Sequence, residues 1–118
     1  MTLTNITKSK AIIERTRIAE SFFSQLKGLM FEDRKNFDYA LVFPLAVEGR
    51  FSASIHCLFV FFPIDVIFLD RDKMVVDIKK GIKPFTPFYM PSKPAKYFVE
   101  VPQGISNGVE IGDKLDWK

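Results

Sequence analysis

Residues 55–77, IHCLFVFFPIDVIFLDRDKMVVD, constrain the fold more than any other stretch. An apolar run is broken by Pro63 and Asp65, passes through a charged turn, and gives way to a second apolar run. The first run is too short to cross a bilayer, and it carries a proline and a carboxylate. Val, Ile and Phe dominate it, which favours buried strands over a helix. The pattern predicts the spine of a mostly β core.

At 118 residues the chain is expected to form one domain, residues 1–118, burying roughly two-thirds of its unfolded surface. Thirteen of those residues are Phe, which points to a core built by interlocking rings. Charged residues make up 26%, an ordinary globular share, so disorder is not indicated. Seventeen basic residues against fourteen acidic ones leave a net charge of only +3. That argues against strong polyanion binding, because each phosphate contact needs its own cation. Cys57 is the single cysteine, so no intramolecular disulfide is available and a reducing compartment fits. The opening MTLTNITKSK lacks the apolar core of a secretion signal. A cytoplasmic protein with no membrane association is expected, and the Asn5-Ile6-Thr7 sequon then carries no weight.

Residues 10–15 read as a first strand. Thr16 is placed to cap a helix over residues 17–27, where Ile18, Phe22 and Leu26 recur at four-residue spacing and Gly28 supplies a stop. Residues 33–38 read as a loop, 39–45 as a strand ending near Pro44, and 51–62 as a long strand. Residues 66–69 and 74–78 should pair across the turn Asp70-Arg71-Asp72-Lys73. Residues 79–96 hold four of the seven prolines and five lysines, and read as a long ordered loop pinned by Phe85, Phe88, Tyr89 and Met90. A strand follows over 97–101, and a turn with a short last strand closes the chain over 109–115. Short strands, Pro/Gly turns and one early helix predict a β-sandwich or distorted barrel with the helix packed on it.

Four pieces carry a family resemblance. They are Lys27-Gly28-Leu29-Met30, Pro63-Ile64-Asp65-Val66-Ile67-Phe68-Leu69-Asp70, Val99-Glu100-Val101-Pro102-Gln103-Gly104 and Gly112-Asp113. In this order and spacing the chain resembles the uncharacterised family known as domain of unknown function 192. The resemblance implies a compact β-sandwich-like domain with a packed helix, and it implies no reaction. Many bacterial members carry a Trp-Met-Lys-Asn-Thr-like run before the proline, where this chain has His56-Cys57-Leu58-Phe59-Val60. Polar contacts made by that run elsewhere therefore do not transfer. The missing export signal resembles the archaeal, intracellular branch.

His56 and Cys57 are adjacent, so in a strand they face opposite ways and make a poor catalytic pair. No HxH, CxxC or HExxH spacing exists, so no metal and no cofactor is expected. Ser54 lacks a glycine elbow. Asp65 and Glu100 stand out as carboxylates inside apolar strands, FPIDVIF and YFVEVPQG. A buried carboxylate is costly unless it is bonded. Asp65 could cap the backbone at the Pro63 bend, and Glu100 could pair with Lys27. The leading expectation is a non-catalytic domain binding a modest ligand or a protein partner, with Lys27, Gly28, Met30, His56, Asp65 and Glu100 converging on one cleft. The alternatives are a hydrolase acting on a saccharide through Asp65 and Glu100, which needs both carboxyls in one pocket, and a nucleic-acid accessory domain using the lysines of 79–96.

Overall fold

The computed structural model describes residues 1–19, 33–50, 53, 61–86 and 88–118. Their strands are β1 (Leu3–Asn5), β2 (Lys10–Ile13), β3 (Thr16–Ile18), β4 (Ala40–Gly49), β5 (Ile64–Leu69), β6 (Val75–Ile82), β7 (Ala95–Pro102) and β8 (Leu115–Trp117). They form two sheets, one of order β2-β1-β8 and one of order β3-β4-β7-β5-β6. Neither closes into a barrel among the described residues, and only β3 and β4 run parallel. The mainly β, two-layer expectation holds.

The five-stranded sheet is covered on both faces. One face packs against the small sheet, where Leu3 and Leu115 meet Val42, Ile67, Val99 and Val101. The other carries Leu41, Phe43, Ile64, Val66, Phe68 and Phe98, joined by Phe37, Tyr39 and Phe62. Phe43 stacks on Phe98 with centroids 4.4 Å apart, and Phe68 leans on Phe98 at 6.2 Å. Every residue of β5 is buried. That explains why its sequence is continuously apolar instead of alternating.

The hairpin between β5 and β6 turns where expected. The Asp70 carboxylate accepts from the amides of Asp72 and Met74 at 2.9 and 3.0 Å, and Lys73 takes the left-handed position at φ 62°. Pro44 sits where β3 has already ended, since the parallel pairing stops at Ile18 and Val42.

The N-terminal helix needs correction. Residues 16–18 are a strand, paired Thr16 with Ala40 and Ile18 with Val42, and residues 20–27 lie outside the described part. No α-helix occurs among the described residues. The helical spacing misled because Ile18 also fits a strand alternation. Thr16 is buried, Ile18 packs into the inter-sheet core and Arg17 between them is exposed. Of the strand expected over 51–62, Ala53 lies in a turn, Phe61 and Phe62 lie in no strand, and the rest is outside the described residues. The long loop is shorter than expected, because β6 runs on to Ile82. Phe85 and Phe88 do not pin it, being half exposed, whereas Tyr89 packs on the core.

Phe68 is fully buried at the centre of the aromatic layer. Replacing it with Ala removes its contacts with Phe98 and Tyr89. Urea unfolding should show a loss of about 3–5 kcal/mol.

Candidate functional site

Three carboxyl groups are buried among the described residues, those of Asp65, Glu100 and Asp113. Asp113 accepts from Asn5 Nδ2 at 2.8 Å and from the Glu110 amide at 2.9 Å, with Lys8 Nζ 3.3 Å away. This cluster ties the loop after β1 to the turn before β8.

Asp65 is fully engaged as well. Its Oδ1 accepts from the Gly81 amide at 2.8 Å, and its Oδ2 from the Gly104 amide at 2.9 Å and the Ser106 hydroxyl at 2.7 Å. Gly81 and Gly104 both hold positive φ, 62° and 94°. Both therefore adopt a left-handed backbone conformation that favours glycine. The expected cap at the Pro63 bend is thus replaced by a knot joining β5, the end of β6 and the turn after β7. A polar hollow beside it, lined by Lys80, Gly81, Gln103 and Asn107, is floored by a carboxylate that already accepts three hydrogen bonds.

Glu100 differs from both. It lies in β7 opposite Leu41 on one side and Val66 on the other, only 5% exposed. Its Oε1 has no hydrogen-bond partner among the described residues. Burial alone pushes its carboxyl up from 4.5 to about 8, so the side chain is mostly a neutral acid at pH 7. Lys27, the partner expected for it, lies outside the described residues.

Strand register separates the two carboxyls. Asp65 stands opposite Val101, whereas Glu100 stands opposite Val66, the next residue along. Side chains alternate, so Asp65 belongs to the inter-sheet face and Glu100 to the aromatic face. The convergence expected of them does not occur, and an acid/base pair across one pocket is overturned. Of the other expected site residues, Lys27, Gly28, Met30 and His56 lie outside the described part. No cluster of three or more metal-ligating side chains occurs among the described residues.

One residue absent from the sequence argument joins the row of Glu100. Arg17 pairs with Leu41, which pairs with Glu100, so all three share a face. Its guanidinium lies over the Tyr39 ring at 4.2 Å from the centroid. Only the strand assignment of residues 16–18 brings it here; as a helix residue it had no such neighbour.

The family model DUF192, described as an uncharacterized ACR, matches residues 3–117. The chain belongs to this family. A UPF0127 protein of Thermococcus sibiricus is 46% identical over 118 residues, covering 98% of this chain and 74% of that protein. A UPF0127 protein of Pyrococcus furiosus is also 46% identical, over 96% of this chain and 95% of its own. A crystal structure of a protein of unknown function from Novosphingobium aromaticivorans superposes with a TM-score of 0.81 at 23% identity, over 98% of this chain and 82% of that one. Another from Sinorhizobium meliloti, provisionally described as a transcription regulator, gives 0.82 at 18% identity, over 98% and 89%. These two likenesses speak for the fold alone. The DUF192 relatives assign no catalytic role, and the function of the family is unknown.

Two variants separate the roles of the carboxyls. Asp65→Ala leaves three donors without an acceptor, and chemical unfolding should show at least about 3 kcal/mol lost. Glu100→Gln should behave in the opposite sense and depend on pH. The folded-state value lies above the unfolded one, so the wild type favours the protonated acid and loses stability as pH climbs from 4.5 to about 8. The variant should therefore match the wild type near pH 4.5 and pull ahead up to about pH 8, by several kcal/mol at roughly 1.4 kcal/mol per pH unit. A difference that stays flat with pH would show that Glu100 is not held as the acid.

Proposed function

We infer that the chain is a single-domain, cytoplasmic, non-catalytic module that binds a small ligand at the aromatic face of its large sheet, with Glu100 as the polar anchor. The observation that carries this reading is a buried carboxyl whose Oε1 has no partner among the described residues. A residue retained only for packing would be Leu or Gln here, because an acid with no partner lowers stability at neutral pH. Kept neutral, the carboxyl can donate one hydrogen bond and accept another. That suits a ligand with a neutral donor–acceptor group on a flat apolar body. Arg17 stands two strands away, about 10 Å at sheet spacing, within the span of one small metabolite. Lys27, Gly28, Met30 and His56 remain candidates for the same site on the family motif. A recessed single polar atom fits a small molecule better than the broad surface of a protein partner.

Catalysis finds less support. The hydrolase alternative requires two carboxyls on one side of the sheet, and the strand register denies it.

The test is a thermal-shift panel of nucleobases, nucleosides, aromatic amino acids and sugars. A ligand at about a hundred times its dissociation constant adds roughly 2.7 kcal/mol, a shift of several degrees. Such a shift should vanish in Glu100→Leu, which keeps the volume and removes both polar atoms, and should survive in part in Glu100→Gln. A panel flat for the wild type, or hits indifferent to Glu100→Leu, would refute the reading.

A further inference from the structure

The loop between β6 and β7 carries a feature that the ligand site does not use. Its first turn spans residues 83–86, with the Thr86 amide donating to the Lys83 carbonyl at 3.3 Å and the Thr86 hydroxyl to the same oxygen at 2.7 Å. Proline occupies the second position and Phe85 the third, where φ is 63°. A turn of this pattern normally takes glycine there, because a bulky side chain in the left-handed region is strained. The ring obtained at that cost is not buried. Phe85 is 51% exposed, Phe61 56% and Phe88 52%, and the first two meet edge to face at 5.3 Å.

Cations predominate around this knob, although the Asp77 carboxylate also reaches the loop and accepts from Tyr89 and Ser92. Residues 78–99 contain five lysines and no aspartate or glutamate, although the whole chain nets only +3. Lys96 is occupied with the Leu45 carbonyl, while Lys79, Lys80, Lys83 and Lys93 are exposed. Lys83 opens the turn itself, and Lys80 lies about 10 Å back along the strand. That is within a Debye length of the knob at ordinary salt.

We propose that this turn docks the protein peripherally on an anionic lipid surface, with the Phe85–Phe61 pair entering the acyl boundary and the lysines meeting the headgroups. Two copies of the chain do not suit each other through this face, since like charges would be brought together. A single nucleic-acid strand suits it less than a bilayer, because bases need flat, parallel ring faces and an edge-to-face pair offers a compact knob. Hydrocarbon accepts such a knob from any direction, and clustered lysines add attraction to anionic headgroups. Docking of this kind needs no spanning element, and no helix among the described residues is long and apolar enough to cross a membrane.

Co-sedimentation with vesicles of phosphatidylglycerol and phosphatidylcholine, against pure phosphatidylcholine, tests it. The wild type should pellet with the anionic vesicles at low salt and release at high salt. Phe85→Gly relieves the left-handed strain, so its Tm should equal or exceed that of the wild type while vesicle affinity falls about tenfold. Neutralising Lys80 and Lys83 to Gln should cost about fivefold each. No pelleting with anionic vesicles would overturn the proposal. So would pelleting unchanged in Phe85→Gly, which would mean charge attraction alone, or a single-stranded oligonucleotide that displaces vesicles and itself depends on Phe85.

Discussion

Burying the five-stranded sheet on both faces governs most of what this chain can do with its polar groups. Side chains of β5, and of β7 from Phe98 to Val101, are buried whichever way they alternate. A carboxylate there must find donors, give up its charge, or destabilise the fold. Asp65 and Glu100 sit on neighbouring strands and take different routes. Asp65 gathers two backbone amides and a hydroxyl. Glu100 faces the aromatic layer, finds no donor for Oε1 among the described residues, and holds its proton instead.

The family motifs gain a physical meaning from that contrast. The proline-containing motif of β5 and the Val99-Glu100-Val101-Pro102-Gln103-Gly104 motif are two ends of one knot, because Asp65 belongs to the first and the Gly104 amide to the second. Gly112 and Asp113 do the same for the termini: Asp113 reaches Asn5, and β1 pairs with β8 next to it. These motifs describe how the fold is closed. Glu100 lies inside the same signature without taking part in any closure, which makes it the member whose presence needs another reason.

Much of the large sheet was legible in the sequence. Val, Ile and Phe runs on either side of a charged turn point to a hairpin, of which β5 is buried throughout and β6 only at its two ends, and β7 reads as a strand in the same way. Of the small sheet, β2 falls within the strand expected over residues 10–15, whereas β1 escaped notice: it pairs with β2 on one side, but its other partner, β8, lies more than a hundred positions away. The helix over 17–27 failed at its first turn because Thr16 and Ile18 satisfy two periodicities at once, and only the parallel partner β4 decides between them. The separation of Asp65 from Glu100 was also hidden. Both look alike as lone acids in apolar strands, and which face each takes depends on a register between strands thirty residues apart. A slip of one residue would have put them together.

Phe85 and Glu100 share a logic although they lie in different parts of the molecule. Each departs from the choice that stability alone would make: a glycine in the left-handed turn, an apolar or amide side chain in the sheet. The two departures act through unrelated terms, backbone strain in one case and desolvation of an acid in the other, so neither compensates the other. A domain of this size has a margin of only about 5–15 kcal/mol, and together they draw on a sizeable part of it. The stacked rings of Phe43, Phe68 and Phe98 make that margin available. A core this rich in phenylalanine is what allows the same fold to hold a buried acid inside it and a strained ring outside it, and those two places are where its function should be sought.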